Sequence, residues 1–416
     1  MAKIAIDFGT RYSKVAIQNG NNLVVKIFHT NKTQNGNLIE KDEVPQGRIE
    51  EYQDTAFDNS LKRYLINSNY SEDARERVRI YLELLRNFIE GNEGLNKRLN
   101  VNDEMIFTYT LGNDYKEIYR GIVQTVFGNN NEFVSEAVAS GFYYLKRIEI
   151  NVEPHAPSML LVCDIGAGTT DISMIIVPNP RDIRGIYIVG RSIYSFNYGG
   201  NNLTKKIIKE ELKRVSKELS FDEAENKKTQ PNLLINFSES INSWKEEMKN
   251  ELNNYITILN NQTNFRNTIY VQRLHTIYSV YSGGGSLIYY GKMDIHEFLP
   301  EQINKTLASI RGVKIIKTAL PNEDIKNRIN EAMLASVIGA IYYVDYYNNH
   351  NFSGEETHHE NDFPTEINHQ DLNNEQNSNV DTDNSNNFGQ GRCRNCGALA
   401  APGSDYCYNC NPGDED

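Results

Sequence analysis

The sequence predicts an α/β protein of two similar halves facing each other across a cleft. Two observations carry this. Two hairpin-like segments, Lys3 to Ile17 and Met159 to Val177, follow one plan, and aligning Asp7 with Asp164 gives apolar-Asp-apolar-Gly, with Thr following, in both. Stretches with helical apolar spacing follow each hairpin.

The elements read in order as follows. Residues IAI, a turn at Phe8-Gly9-Thr10 and SKVAI form the first hairpin. Asp114 to Phe127 has an apolar face through Ile118, Ile122 and Val126 and predicts a helix. The second hairpin is MLLVC, a turn at Gly166-Ala167-Gly168, then DISMIIV. Asn202 to Leu219, with Leu203, Ile207, Ile208, Leu212 and Val215, predicts another helix, as does Ser238 to Leu252. An apolar strand, Thr276 to Tyr281, runs into a glycine cluster, Ser282-Gly283-Gly284-Gly285-Ser286.

Length and charge bound the function. The chain has 416 residues, 39% of them apolar, enough for a sizeable packed core. No apolar run reaches the ~18 residues of a membrane span. The start, MAKIAIDFGT, puts an Asp where a signal peptide needs its apolar stretch, so a cytoplasmic protein is expected. The net charge of −12 is local: His350 to Gly391 holds nine acidic residues and no Lys or Arg, and Arg392 to Asp416 holds four acids against two arginines. The preceding residues are close to neutral, which gives no electrostatic footprint for nucleic acid.

Residues 350–391 are Asn, Gln, Asp, Glu, Ser and His with almost no aliphatics, a composition that cannot offset the entropy of ordering. A disordered acidic linker is expected there, reaching roughly 35 Å; its four histidines (His350, His358, His359, His369) leave metal binding as the competing reading. Residues 392–416 hold Cys393, Cys396, Cys407 and Cys410 in two C-x2-C knuckles separated by ten residues. Two such knuckles complete a tetrahedron around structural Zn²⁺. Metal binding would then be the folding energy of so small a module, about 10–16 kcal/mol apparent. Its balance of charge favours a protein partner over nucleic acid; a redox pair is the alternative. Cys163 reads as a buried small hydrophobe.

Two Asp-x-Gly turns with matching flanks point to phosphate and a hydrated divalent cation. Glycine lets backbone N–H donors approach phosphate, and a carboxylate near a nucleotide's Mg²⁺ often acts through the ion's waters. The third glycine cluster suits close approach to a base or sugar; a plain loop is the competing reading.

These segments carry a resemblance. IAIDFGTRYSKVAI, LLVCDIGAGTTDISMI and VYSGGGSLI resemble the first phosphate, second phosphate and adenosine motifs of the actin/DnaK/sugar-kinase ATPase superfamily. FVSEAVASGFYYL (Phe133 to Leu145) and NEAMLASVIGAIYYV (Asn330 to Val344) resemble its two connecting helices, and NYGGNNLTKKI (Asn197 to Ile207) its Gly-Gly turn beside the ribose. The match spans about residues 3–345. It implies duplicated ribonuclease H-like sheets, with lobe I about 1–158 and 330–349 and lobe II about 159–329, and ATP with Mg²⁺ between them. The ATPase domain would be 1–349, followed by the linker and a zinc ribbon.

Carried over by motif, the resemblance implies that Asp7 and Asp164 hold the hydrated metal. Gly9, Thr10, Gly166, Gly168 and Thr169 would contact phosphates, and Gly199, Gly200, Gly284 and Gly285 would border the nucleoside. Glu136 matches the glutamate that orients the attacking water in DnaK-type chaperones, although Ala137 replaces the usual proline. Lys14, seven residues after Asp7, matches the phosphate lysine of actins and sugar kinases. Lys245 matches the lysine lying against adenine in DnaK-type proteins. A helix-surface carboxylate at Glu136, a solvated lysine at Lys14 and an ordinary Lys–Glu helix face at Lys245 are the competing readings. Ala167 replaces the middle glycine of the second loop, and Arg11 stands where a small hydroxyl residue is common. No clear counterpart of the DnaK-type catalytic lysine emerges, though SLKRYLI (Ser60 to Ile66) resembles its neighbourhood.

Three functions follow. The first is an ATP-hydrolysing switch resembling a DnaK-type chaperone ATPase without its peptide-binding domain, its zinc ribbon and linker recruiting a protein partner or client. The second is an actin-like filament ATPase, which makes homo-oligomers. The third is a small-molecule kinase, for which no substrate-deprotonating Asp is identified outside the metal motifs.

Overall fold

The computed structural model describes residues 2–34, 37–41, 49–51, 61–91, 95, 97–100, 103–110, 113–147, 158–177, 186–189, 192–216, 218–261, 276–285, 317–319 and 325–349. All of these lie in one compact unit, Met1–Glu366. The linker, the four clustered cysteines and Ser286 fall outside the described residues.

Two sheets share one plan. In the first, β1 (Lys3–Phe8) pairs antiparallel with β2 (Tyr12–Asn19), and β2 with β3 (Asn22–Gln34), while β4 (Asn37–Glu40) and β5 (Ile49–Glu51) both pair with β3. On its other side β1 runs parallel to β6 (Glu104–Tyr109), which runs parallel to β7 (Asn131–Ser135). In the second, β8 (Ser158–Ile165) pairs antiparallel with β9 (Thr170–Val177), which carries β10 (Tyr187–Ile188) and β11 (Tyr194–Phe196). On the far side of β8 come the parallel strands β12 (Thr276–Ser282) and β13 (Lys317–Ala319). A central hairpin extended by parallel strands is thus built twice, the duplicated two-lobed α/β arrangement that the repeated Asp-Gly segments predict.

The strands explain the layers. Both faces of each central strand are buried, so the period-2 alternation separates one core from another rather than core from solvent. Ile4, Ile6 and Phe8 of β1 face α1 (Leu61–Asn67), α2 (Glu72–Glu90) and α3 (Asn113–Phe127). Met159, Leu161 and Cys163 of β8 face α5 (Gly200–Val215) and α8 (Ser238–Asn261). The small Ala5 and Ala16, with Leu160 and Val162, turn to the layer between the sheets, filled by α4 (Glu136–Arg147) and α9 (Ile325–Asn349). Burying one such aliphatic side chain stabilises by roughly 1.5–3 kcal/mol. Cys163 is buried in the second sheet's outer core, as a small hydrophobe.

Helix boundaries differ from the periodicity in four places. Phe133 to Ser135 belong to β7, so the first connecting helix starts at Glu136. The second connecting helix extends beyond Asn330 to Val344 at both ends. α5 stops at Val215 because Ser216 takes a left-handed conformation, φ 54°, and donates its N–H to the Leu212 carbonyl. α8 continues past Leu252 to Asn261, as Tyr255, Ile256 and Leu259 are buried against the second sheet. Between α5 and α8 lie α6 (Phe221–Thr229) and α7 (Pro231–Leu234). Ser220 and Glu223 cap α6 reciprocally: Ser220 Oγ accepts from Glu223 N at 3.2 Å and Glu223 Oε2 accepts from Ser220 N at 2.8 Å.

α4 and α9 cross backbone to backbone. A Cβ at Gly339 would lie 1.8 Å from the Ala139 carbonyl oxygen. Gly339→Ala therefore forces the helices apart. It is expected to destabilise the protein by about 1–3 kcal/mol, read as a lower urea midpoint; an unchanged midpoint would contradict so close a crossing.

Candidate functional site: an acid-lined cleft between two glycine loops

Both hairpin turns come together. A Cβ at Gly168 would lie 2.7 Å from Thr10 Oγ1, so the second loop abuts the first. The other predicted glycines gather on the second loop. A Cβ at Gly199 would meet the Gly166 carbonyl oxygen at 2.7 Å, and one at Gly285 would meet the Ile165 oxygen at 2.7 Å. Gly283 has φ +79°, which favours glycine, and sits against Asp164. Gly284 faces open space. The start of α5 hangs from the same loop: Gly200 N donates to the Gly166 oxygen at 3.0 Å and Asn201 N to the Ala167 oxygen at 2.7 Å. Trp244 of α8 fixes the turn by donating Nε1–H to the Gly199 carbonyl at 2.9 Å. Lys245 follows it on α8, half-buried.

Asp7 and Asp164 occupy matching positions and are both buried. Strand register pairs Asp7 with Lys14 and Asp164 with Asp171. The duplicated hairpin thus sets a lysine opposite one acid and a third acid opposite the other. Lys14 Nζ donates to Asp7 Oδ2 at 2.6 Å, so this lysine belongs to the site and is not a solvated hairpin residue. Glu136, the first residue of α4, is 7% exposed and ion-paired with Lys62 of α1. That lysine is 1% exposed and lies 5.9 Å from the centroid of the Tyr115 ring. Thr110, at the end of β6, donates to Asp171 Oδ1 at 2.6 Å and shares a hydrogen bond with Ser195 of β11, tying the two halves at the base of the cleft.

Four buried carboxylates, Asp7, Asp164, Asp171 and Glu136, interact here with the buried ammonium group of Lys62 and the half-buried one of Lys14. Burial alone would raise Asp7, but Lys14 and Lys62, with hydrogen bonds from Lys14 and Ser336, hold it below the ordinary range. Burial lowers a lysine, yet Glu136, Asp171 and Asp7 outweigh it and push Lys62 up to about 12. Glu136 and Asp164 have the opposite balance: burial pushes Glu136 up to about 8 and Asp164 up to about 6. Burial raises Asp171 as well. The lysines therefore stay charged while the crowded carboxyls compete for protons.

This donor set fits a hydrated divalent cation. Asp7 Oδ1 is buried without a hydrogen-bond partner, and the carboxylates outnumber the ammonium groups. Among the described residues no three His, Cys, Asp or Glu side chains are grouped so as to hold a metal ion.

Sequence reasoning missed Lys62, Asp171, Thr110, Ser140 and Ser336. Arg11, left without a role, forms an ion pair with the buried Glu225 of α6, and Lys32 of β3 pairs with Asp222 at 2.6 Å. Lys228 of α6 donates to the Gly200 carbonyl at 3.1 Å and to Thr204 Oγ1 at 2.9 Å, anchoring α6 to the start of α5.

No protein-family profile matches the chain, and no curated protein matches it in sequence. Solved structures do. An archaeal actin homolog, Ta0583, is 13% identical over 83% of this chain and 99% of its own, with a TM-score of 0.45; in complex with ADP it is 14% identical over the same shares, with a TM-score of 0.46. MreB5 of Spiroplasma citri bound to ADP is 14% identical over 84% of this chain and 98% of its own, also with a TM-score of 0.46. No described helix is long and apolar enough to cross a membrane.

Proposed function

We propose that this chain binds ATP between its two sheets and hydrolyses it, as an ATPase of the actin/DnaK superfamily. The single observation that carries the reading is the convergence of two Asp-Gly turns, each on its own hairpin, with Thr10 of one packed on Gly168 of the other. Gly9, Thr10, Gly166, Gly168 and Thr169 bind phosphate oxygens, with Lys14 adding charge. Gly199, Gly200, Gly284, Gly285 and Lys245 border the nucleoside. Asp7 and Asp164 hold the hydrated Mg²⁺, which supplies charge neutralisation at the phosphates. Glu136, kept in place by Lys62, accepts a proton from the attacking water.

Within that class we propose filament assembly. The Lys14–Asp7 contact supports it, because lysine at that spacing is the pattern of actins and sugar kinases. A second reading, a DnaK-type switch, is favoured by the Lys62–Glu136 pair, since Lys62 belongs to the SLKRYLI segment that resembles the neighbourhood of the DnaK-type catalytic lysine. ATP-dependent light scattering with parallel phosphate release separates the two: scattering that rises with ATP supports filaments, and phosphate release without scattering supports the switch.

Asp7→Ala and Asp164→Ala are each expected to abolish Mg²⁺-dependent phosphate release while retaining a cooperative melt. Wild-type turnover in both would remove the metal assignment. We propose further that the cysteine module binds Zn²⁺ and recruits a protein partner, predicting one zinc per chain by elemental analysis; zinc-free, freshly purified protein would overturn it.

A further inference from the structure

Two serines make a reciprocal pattern around the site. Ser140, in the middle of α4, donates to Asp164 Oδ2 at 2.7 Å, and Ser336, in the middle of α9, donates to Asp7 Oδ2 at 2.5 Å. Both are buried. α4 leaves the first sheet from β7, yet its serine holds the acid of the second sheet. α9 follows β13 of the second sheet, yet its serine holds the acid of the first. A serine in a helix commonly returns its hydroxyl to the carbonyl one turn back, which is neutral to unfavourable for the helix. Here both hydroxyls turn instead to a carboxylate in another element. The residue before Ser140 is Ala139, the point where Gly339 of α9 makes its backbone crossing, so both serines sit close to the contact between the two helices.

We propose that Ser140 and Ser336 are positioning residues for the two metal-site acids, each fixing one carboxylate oxygen from a helix that lies between the two sheets. The inference rests on the Asp7 and Asp164 metal reading. Asp7 shows the consequence: Oδ2 is taken by Ser336 and Lys14, and Oδ1 is buried without a hydrogen-bond partner. A carboxylate held at one oxygen has lost its rotational freedom before the cation arrives, so less order remains to be imposed on binding. Because each serine stands on a helix between the sheets, a shift of α4 against α9 moves both acids together. Metal affinity and the relation of the two lobes are thereby linked through two hydroxyls.

The test uses the full chain, a fluorescent ADP analogue and Mg²⁺ titration. Ser140→Ala and Ser336→Ala remove one oxygen each. Each is expected to raise the Mg²⁺ concentration giving half-maximal nucleotide binding about tenfold, the scale of a lost hydrogen bond to a charged group. The melting temperature without Mg²⁺ should fall modestly, because a buried carboxylate loses a donor, while nucleotide affinity in chelator should stay at the wild-type value, a split that a merely structural role would not give. Ser140→Thr and Ser336→Thr keep the hydroxyl and should keep the wild-type midpoint. In an Asp7→Asn background, Ser336→Ala should add nothing. Alanine variants with the wild-type Mg²⁺ midpoint would overturn the serine assignment alone. Wild-type protein whose nucleotide binding ignores Mg²⁺ would overturn the metal reading and this inference together.

Discussion

Glu136→Gln is expected to lower ATP turnover by about 10²–10⁴-fold, the range of a lost general base, while leaving nucleotide affinity and folding intact. The amide keeps the shape of the carboxyl and can still meet Lys62, but it cannot accept a proton. Folding should be unharmed or improved, because the carboxylate it replaces is costly: burial pushes Glu136 from 4.5 to about 8. The sign of the pH effects follows. Between pH 4.5 and 8 the folded chain holds a proton on Glu136 that the unfolded chain has released, so this group's contribution to stability falls as pH rises across that window. Activity runs the other way, since the base works only when ionised. The rising limb of kcat/KM, which reports the free protein, should lie near pH 8 and vanish from the residual activity of Glu136→Gln. Turnover in this variant equal to wild type would remove Glu136 from the chemistry.

The parts of this site that were legible in the sequence are those written locally. A hairpin with an Asp-Gly turn is a fifteen-residue pattern, and its second occurrence made the two-sheet architecture readable before any contact was known. Lys14 was legible through its seven-residue spacing from Asp7, which the resemblance carries, and the strand register sets the two opposite each other. Asp171 could have been found the same way: carrying the Asp7–Asp164 alignment forward seven residues sets Asp171 against Lys14, and the register confirms that equivalence. Lys62 gave only a weak local signal, because its meaning lies in a partner 74 residues away. Ser140 and Ser336 were hidden for a different reason. Beside Gly141 and Gly339 they look like small residues easing a helix crossing, and their second role exists only once the crossing places them beside the acids. The boundaries that moved were decided by tertiary burial. Phe133 and Val134 join β7 because β6 offers a parallel partner, and α8 outruns its asparagines because Tyr255 and Leu259 pack beneath it.

Lys62→Met should be the most destabilising single change in the cleft, by about 3–5 kcal/mol above pH 8, although methionine fills nearly the same volume. The ammonium group is fully enclosed, and Glu136, Asp171 and Asp7 together raise its proton affinity to about 12 despite burial. Without it, Glu136, Asp171 and Asp7 lose the ammonium group they share. Some of that charge is neutralised by proton uptake, so the loss should grow with pH, from small near pH 5 to full above pH 8. Combining Lys62→Met with Glu136→Gln removes one member of each sign, and most of the lost stability should return. The urea midpoints of the wild type, the two single variants and the double variant make a cycle whose coupling term isolates the pair. A Lys62→Met protein as stable as wild type at pH 8 would mean that the cleft tolerates its acids unpaired. The cation would then have no electrostatic deficit to fill. A large pH-dependent loss that the double variant repairs would instead show that this lysine keeps a crowded acidic site folded while Glu136 stays free to take a proton.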